Sequence, residues 1–345
     1  MTGKRIIVAG GAGYIGSHVC VELLKAGHQA LVIDNFANSS PKALERITEI
    51  AGGGVELLQA DLADPADATR IIDAVKAFKP DGAVHLAGLK AVGESVAEPV
   101  MYYSINLPAT FTLIRALEAA NARLIVFSSS ATVYGALNKN PIDETGATGP
   151  TNPYGRTKLF IEEILKDLAR ADARWKVCNL RYFNPVGAHP SGRIGEDPNG
   201  VPNNLFPFIA QVAVGRLPKL KVFGNDYPTR DGTGVRDYIH VVDLAVGHVA
   251  AIDYLTREKS PGAVVYNLGA GRGFSVLEAI SAFKRASNRD IPYEIAPRRD
   301  GDIAEFFANP TRANKELGWK ATKSLEDMCA DHWRWQSGNP NGYRD

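Results

Sequence analysis

Residues 6–16 read Ile-Ile-Val-Ala-Gly-Gly-Ala-Gly-Tyr-Ile-Gly, and this stretch decides the fold. Its four apolar residues predict a short buried strand, which runs directly into the glycines. The glycines fit Gly-x-x-Gly-x-x-Gly from Gly10 and Gly-x-Gly-x-x-Gly from Gly11. This spacing permits a tight turn, close approach of the backbone to a pyrophosphate, and close packing of helix on strand. A helix predicted over residues 14–26 points its N-terminus at those phosphates, so the stretch indicates a dinucleotide site.

A carboxylate follows at the position that a dinucleotide fold requires. The second strand, predicted over residues 29–33, ends at Asp34, which is 18 residues after Gly16. A carboxylate there can accept hydrogen bonds from both ribose hydroxyls, and it repels a 2′-phosphate. We therefore predict NAD rather than NADP as the cofactor.

Strands and helices go on alternating along the first 184 residues. Apolar strands separated by helices predict a parallel sheet that is covered on both faces, which is a Rossmann-type doubly wound α/β fold. Helices are predicted over residues 41–51, 65–78 and 100–121, and strands over residues 55–59, 82–86, 124–127 and 176–183.

The amino-acid composition changes after the last of these strands. Residues 185–238 are rich in Gly, Pro and Asn, with one apolar helix predicted over 205–214. A helix over 241–255 and a strand over 264–268 are expected to rejoin the first sheet, and amphipathic helices are predicted over 275–287 and 325–335. We expect a dinucleotide-binding domain over 1–184 with a return segment over about 238–270. Residues 185–237 and 271–345 are expected to form a smaller C-terminal α/β substrate domain.

Polar side chains lie at or just beyond the ends of the predicted strands. Ligands of such sheets bind at the carboxyl ends of the strands, so these side chains are expected to line one site. They are Asp34, Asp61, residues 85–90, Ser128 to Ser130, and the pair Phe183 and Asn184.

A candidate general base lies in the stretch Asn-Pro-Tyr-Gly-Arg-Thr-Lys, residues 152–158. Pro153 suits the first turn of a helix. Tyr154 and Lys158 are then four residues apart, on one helix face. A free phenol, with a pKa of about 10, is a poor base at neutral pH. We expect the lysine ammonium to favour the phenolate and to lower the pKa of Tyr154 toward neutrality.

Composition excludes several other classes of function. The 39 Lys and Arg balance 38 Asp and Glu, which gives no reason to expect a nucleic acid or a membrane surface as partner. No apolar run is long enough to span a membrane. Cys20, Cys178 and Cys329 are odd in number and far apart, which predicts free thiols in the cytoplasm. The histidines show no spacing typical of a metal site. The sequence has no Gly-x-Ser-x-Gly elbow, so it does not indicate a hydrolase.

With the glycine loop, Asp34, Ser130 and the Tyr154-x-x-x-Lys158 pair in place, the chain resembles the extended short-chain dehydrogenase/reductase superfamily. Within it the chain looks like a UDP-glucose (UDP-galactose) 4-epimerase, nearly from end to end. The segments that carry the resemblance are residues 10–18, 85–95, 128–135, 180–189, 202–204 and 231–241.

The resemblance implies an isomerase of galactose metabolism that interconverts UDP-galactose and UDP-glucose. Epimerisation at C4 would pass through a transient 4-keto sugar while tightly bound NAD is reduced and reoxidised. Homodimers are usual for the family. Residues implied to contact NAD are Gly10, Gly13, Tyr14, Ile15, Gly16, Asp34, Asn35, Phe36, Ala37, Asn38, Ser39, Asp61, Leu62, Leu86, Ala87, Gly88, Leu89, Lys90, Tyr154, Lys158 and Phe183.

The resemblance also implies the catalytic and substrate-binding residues. Tyr154 would be the base, Lys158 would hold the nicotinamide ribose, and Ser130 would hydrogen-bond the sugar oxygen. Phe306, where close relatives have tyrosine, would be a gate that excludes N-acetylated hexosamines; the alternative is an ordinary core residue, a role for which its neighbour Phe307 is equally eligible. Residues implied to contact the UDP-sugar are Ser130, Tyr154, Asn184, Asn204, Leu220, Phe223, Arg236, Arg299 and Phe306.

Two alternatives share the fold. A nucleotide-sugar 4,6-dehydratase or decarboxylase would need an acid–base pair after Thr132, where this chain has Val133 and Tyr134. A non-catalytic NAD-binding regulator would have no need of Tyr154 and Lys158. Other departures from the family pattern are Ala60, Ile105 and Ala109.

Overall fold

A parallel sheet of seven strands forms the centre of the computed structural model, which describes residues 3–136, 138–200, 202–299 and 301–344. The strands of the described residues are β1 (Arg5–Ala9), β2 (Gln29–Asp34), β3 (Glu56–Gln59), β4 (Gly82–His85), β5 (Leu124–Ser130), β6 (Lys176–Tyr182), β7 (Asn184–Val186), β8 (Leu220–Phe223), β9 (Val235–Arg236), β10 (Tyr238–His240), β11 (Ala263–Leu268), β12 (Phe274–Ser275), β13 (Tyr293–Ala296) and β14 (Glu305–Phe306).

Helices cover both faces of this sheet and form much of the smaller C-terminal part. They are α1 (Tyr14–Lys25), α2 (Lys42–Ala51), α3 (Ala68–Phe78), α4 (Val92–Ala97), α5 (Pro99–Ala119), α6 (Pro153–Ala171), α7 (Leu205–Ala213), α8 (Val241–Arg257), α9 (Val276–Ser287), α10 (Thr311–Glu316) and α11 (Leu325–Gly338). No helix of the described chain is long and apolar enough to cross a membrane.

The strand order of the central sheet is β11-β6-β5-β4-β1-β2-β3, and every pairing in it is parallel. The order reverses between β1 and β4, which creates a crevice at their carboxyl ends. The predicted fold class, a doubly wound α/β sheet, is confirmed. The strand predicted over residues 264–268 joins this sheet as β11, beside β6.

Side chains of the central strands alternate between two buried clusters. Ile6 and Val8 belong to the cluster under α1 and α8, whereas Ile7 and Ala9 belong to the cluster under α3, α5 and α6. A parallel strand buried on both faces reads as a continuous apolar run, which is why residues 6–9 show no alternation of polarity.

The smaller part consists of short strands and helices. Its sheets are β10-β7, β12-β9-β14 and β13-β8, and α7, α9 and α11 enclose a separate apolar cluster that includes Phe206 and Phe283. Strands of two or three residues are too short to show a sequence period, so β7, β9, β10, β12 and β14 were not predicted. The helix α4 was also missed, and β5 runs three residues beyond its predicted end, up to Ser130.

A buried ion pair joins α6 to the two strands beneath it. The guanidinium of Arg181 on β6 donates to both oxygens of Glu162 on α6, with distances of 3.0 and 2.6 Å. The Ser129 hydroxyl donates to the same carboxylate. Both charged side chains are buried, so each needs the other as counter-ion to offset the loss of hydration.

We expect Glu162→Gln to lower the free energy of unfolding by about 3–5 kcal/mol, because it leaves the Arg181 charge buried without its counter-ion. Glu163→Gln is the matched control, since Glu163 pairs with Lys166 at 3.5 Å on the exposed side of the same helix. That change should cost less than about 1 kcal/mol. Urea unfolding of both variants measures the difference, and equal losses would contradict the assignment.

Candidate active site

The helix α6 begins where its sequence predicts. Asn152 caps it by accepting a hydrogen bond from the N–H of Gly155 at 2.8 Å, and Pro153 occupies the first helical position. Tyr154 and Lys158 lie on the face of α6 that meets β5, and Lys158 is buried. The local sequence thus fixes the start of α6, and this places Tyr154 and Lys158 at the carboxyl end of the sheet.

Lys158 is held at the end of β5. Its ammonium donates to the carbonyl of Ser128 at 2.7 Å and lies 4.9 Å from the centre of the Phe127 ring. Burial lowers the pKa of Lys158 to about 8. An ammonium has three N–H donors, so those not used by Ser128 can bind hydroxyl groups of a ligand such as the ribose of a nucleotide.

We predicted that Lys158 lowers the pKa of Tyr154 toward neutrality, and this prediction is wrong. The ammonium lies 5.8 Å from the centre of the Tyr154 ring. Burial raises the pKa of Tyr154, and the hydrogen bond with Ser130 lowers it in part. Desolvation disfavours the phenolate more than the surrounding groups favour it.

Ser130 ends β5 and stands beside Tyr182, the last residue of β6. Its hydroxyl oxygen accepts hydrogen bonds from the N–H of Thr132 at 3.2 Å and from the Thr132 hydroxyl at 2.9 Å. Its own proton therefore stays available for the phenol of Tyr154 or for a ligand oxygen.

The glycine loop has the shape that a pyrophosphate needs. A Cβ on Gly10 would lie 2.8 Å from the Ala87 nitrogen, and one on Gly16 would lie 2.1 Å from the Gly10 oxygen, so the chain's own packing requires both glycines. A Cβ on Gly13 would meet no heavy atom of another residue nearer than 3.4 Å. Among the described residues no side chain caps α1. Bare backbone at a helix N-terminus fits a bound pyrophosphate.

Asp34 ties the glycine loop to the segment after β2. Its carboxylate accepts hydrogen bonds from the N–H of Ala12 at 2.9 Å, the N–H of Phe36 at 2.9 Å and the Ser39 hydroxyl at 2.7 Å. A carboxylate offers about four acceptor positions, so capacity for a ribose hydroxyl remains. Asn35 in turn donates to Asp61 at 3.0 Å, which brings two predicted adenosine contacts together.

The loop after β4 is held against α6 by Asn106. Its side-chain oxygen accepts from the N–H of Leu89 at 2.8 Å, and its amide donates to the hydroxyl of Thr157 at 3.0 Å. Thr157 lies on α6 beside Lys158. Asn106 therefore links a predicted cofactor-binding loop to the predicted catalytic pair.

Glu196 connects the two parts of the molecule and was not predicted. This buried carboxylate pairs with Lys90 at 3.1 Å, and Asn204 donates to it at 3.3 Å. Lys90 was predicted to contact the cofactor and Asn204 the substrate. Glu196 lies in a stretch without periodicity, so its position in space could not be inferred from the pattern.

Two predicted substrate arginines converge on Asp302. Arg299 pairs with its carboxylate at 2.8 Å, and Arg236 on β9 lies 3.7 Å from it. Arg299 also lies 4.8 Å from the centre of the Phe223 ring, on the predicted uridine strand β8. Adjacent guanidinium groups are suited to a diphosphate. Asp302 was missed, although its position three residues after Arg299 was a signal for an ion pair.

Phe306 lies between these arginines and the end of the large sheet. On β14 it is paired with Arg236 of β9, and its ring stacks on Phe183 with centres 5.3 Å apart. Asn184 follows Phe183 directly. The structure therefore places Arg236, Phe306 and the pair Phe183 and Asn184 on neighbouring stretches of backbone.

Several other predicted contacts have side chains engaged elsewhere. Leu62 is buried in the core below α3, and Ile15 packs against the core under α1. The Tyr14 hydroxyl donates to the carbonyl of Gly187 at 2.8 Å. At these positions the backbone is what a nucleotide could contact.

Comparison with known proteins extends the similarity to nearly the whole chain. A family model described as GDP-mannose 4,6 dehydratase matches residues 7–332. A UDP-glucose 4-epimerase of Bacillus subtilis (strain 168) is 58% identical over 340 residues, which is 98% of each protein. A UDP-glucose 4-epimerase structure from Stenotrophomonas maltophila, with bound NAD and formylated UDP-arabinopyranose, has a TM-score of 0.94 and 48% identity, covering 98% of this chain and 99% of that one. The Bifidobacterium longum enzyme in complex with NAD⁺ and UDP has a TM-score of 0.93 and 51% identity, with the same coverage.

Proposed function

The chain belongs to the GDP-mannose 4,6 dehydratase family and, within it, to the UDP-glucose 4-epimerases, and from this premise we propose how its residues divide the reaction. The protein is an NAD-dependent UDP-glucose 4-epimerase that interconverts UDP-galactose and UDP-glucose through a transient 4-keto sugar. The observation that carries the assignment of roles is the group of Ser130, Tyr154 and Lys158 at the carboxyl ends of β5 and β6.

Tyr154 is the proposed acid–base residue at the 4-hydroxyl of the sugar. Ser130 hydrogen-bonds the phenol, and this bond favours the phenolate against burial. Lys158 holds the nicotinamide ribose through the donors that Ser128 does not use. When bound, NAD⁺ supplies the hydride acceptor and a positively charged nicotinamide ring, which also favours the phenolate. The protein's part is to hold one proton on or near Tyr154 and to exclude water.

The proposed cofactor site follows the crevice between β1 and β4. The glycine loop and the N-terminus of α1 hold the pyrophosphate, and Asp34 holds the adenosine ribose. The segment of residues 35–39, with Asp61, surrounds the adenine side, and residues 86–90 lie along the other half. We assign residues 1–184, with the return segment over 238–270, to this function.

The proposed substrate site lies mainly in residues 185–237 and 271–345. Arg236 and Arg299 bind the diphosphate, with Phe223 and Leu220 at the uridine, while Asn184 and Asn204 bind the sugar side. Strong charges hold the nucleotide and neutral groups surround the hexose. This division suits a keto sugar that must turn over while its nucleotide stays bound.

The residues after Thr132 do not supply the acid–base pair that a dehydratase would need. Val133 and Tyr134, which follow Thr132, are both buried in an apolar cluster with Phe183. Neither can serve as an acid–base group beside the hexose, because the pKa of Tyr134 is raised to about 12 by burial and its hydroxyl donates to Asn267 at 2.7 Å.

Phe306 is the proposed selectivity gate beside the hexose C2. The β9–β14 pairing fixes the backbone of Phe306, and stacking on Phe183 fixes its ring, so the ring cannot rotate aside without losing the stacking contact. Adding atoms to a packed site costs roughly 1–3 kcal/mol. An acetamido group at C2 would have to displace this ring.

We also propose a homodimer, because an apolar face is exposed on adjoining helices. Val96 on α4 and Val100 on α5 are 63% and 75% exposed, and Phe160 on α6 is 46% exposed. The Phe160 ring stacks on Tyr103 of α5, which makes the patch continuous. A second copy related by a two-fold axis would cover this face with the same face of its own.

The cytoplasm is the proposed compartment. Cys20, Cys178 and Cys329 are free and buried. Buried thiols that form no disulfide are typical of a reducing compartment.

Purified protein mixed with UDP-galactose and no added NAD should form UDP-glucose, detected by chromatography, because the cofactor stays bound through each cycle. Tyr154→Phe should lower kcat by at least about 10²–10⁴-fold. Tyr293→Phe, at an exposed tyrosine of β13, is the control and should have no effect. A complete dependence on added NAD would contradict tight binding, and a wild-type rate for Tyr154→Phe would contradict its role.

Wild-type protein should turn over UDP-N-acetylglucosamine about 10- to 100-fold less efficiently than UDP-glucose, measured as kcat/KM. Phe306→Cys should remove most of this difference, since it removes the ring and keeps the backbone pairing. The neighbouring Phe307→Cys is the control and should leave the preference unchanged. Equal efficiency in the wild type, or no gain in Phe306→Cys, would mean that Phe306 is ordinary core.

The double variant Val100→Asp, Phe160→Asp should be a monomer where the wild type is a dimer, because burying two carboxylates in each copy's half of the interface is unfavourable. Sedimentation equilibrium measures the mass. Val246→Asp, at an exposed valine of α8, is the matched control and should keep the wild-type mass. A monomeric wild type would rule out the homodimer.

A further inference from the structure

Asp237 is a buried carboxylate that forms no salt bridge in the described part of the chain. It lies between β9 and β10 and is fully inaccessible to solvent. Its two oxygens accept three backbone hydrogen bonds, from the N–H of Ala270 at 2.7 Å, of Gly271 at 3.0 Å and of Ala308 at 3.1 Å. The side chain therefore binds the loop after β11 to the segment after β14.

The backbone of the same residue makes two further connections. Its N–H donates to the carbonyl of Phe306 at 3.1 Å, and its carbonyl accepts from the N–H of Asn184 at 3.0 Å. Arg236 precedes it in the chain. Asp237 thus adjoins or hydrogen-bonds three residues with proposed substrate roles, while its side chain accepts hydrogen bonds from backbone N–H groups.

Gly269 provides independent support for this arrangement. A Cβ at this position would lie 2.6 Å from Oδ2 of Asp237 and 2.6 Å from the Cβ of Ala308. The glycine leaves the space in which the carboxylate reaches the N–H of Ala308. A methyl group there would have to displace either the carboxylate or the segment after Phe306.

We propose that Asp237 is a positioning residue that sets sugar selectivity and the grip on the diphosphate. By fixing Ala308 to the loop after β11, it holds β14 and the paired β9 against the end of the large sheet. Phe306 and Arg236 are thereby fixed relative to Asn184, although Asp237 itself does not touch the sugar. This inference rests on the substrate roles proposed above for Phe306 and Arg236.

Asp237→Asn tests the proposal, because it keeps the side-chain size but turns one acceptor into an NH₂ group that faces backbone N–H donors. The KM for UDP-galactose should rise on the order of tenfold, since the arginine that grips the diphosphate loosens. The ratio of kcat/KM for UDP-N-acetylglucosamine to that for UDP-galactose should rise by a similar factor. The kcat for UDP-galactose should change by less than about threefold, because Tyr154, Lys158 and Ser130 lie on other elements.

Asp243→Asn is the matched control. Asp243 is also buried and accepts hydrogen bonds from the N–H groups of Thr322 and Lys323, each at 2.9 Å, and neither partner has a proposed substrate role. It should lose a comparable amount of stability in urea with unchanged KM and unchanged selectivity. Gly269→Ala should reproduce the shifts of Asp237→Asn, and its values decide the question if Asp237→Asn does not fold.

Wild-type KM and selectivity in both Asp237→Asn and Gly269→Ala would overturn the proposal, as would the same shifts in Asp243→Asn. These results are distinct from a failure of the proposed substrate roles. If Phe306→Cys leaves selectivity unchanged, the gate itself is wrong. If Phe306→Cys relaxes selectivity and Asp237→Asn does not, only the positioning role is wrong.

Discussion

The parallel pairing of β1 with β2 on one side and with β4 on the other is the constraint on which the rest of the structure depends. Because the direction of winding reverses there, the loops that follow these strands part and leave a crevice. The glycine loop lines one wall and the loop of residues 86–90 lines the other, so close that a Cβ on Gly10 would strike Ala87. Glycine at this turn is what allows the two walls to approach.

The site is built outward from that crevice by contacts between elements. Asn106 holds the loop after β4 to α6, and Glu162 with Arg181 holds α6 to β5 and β6. Glu196 and Asp237 continue the connections into the smaller part of the chain. Each contact joins a buried polar side chain to a partner on another segment of the chain, so the geometry of the site depends on the whole fold.

The sequence predicted most of the strands and helices of residues 1–184 well, because glycine spacing and apolar runs are local signals. The start of α6 at Pro153 was also predictable, since capping chemistry lies within a few residues. The pKa of Tyr154 was not, because burial and hydrogen-bond partners are properties of the assembled site. Asp302, Glu196 and Asp237 lie in stretches without periodicity, and the substrate side of the site was accessible only through family resemblance.

The central claim is that the hydride lost from C4 of the sugar would return to the opposite face of the same carbon, with the cofactor bound throughout. UDP-galactose deuterated at C4, converted in ordinary water, tests this most directly. The account predicts UDP-glucose that keeps deuterium at C4, measured by NMR, because the hydride never exchanges with solvent. Loss of the label to water would contradict it, since it would require removal of a proton from carbon.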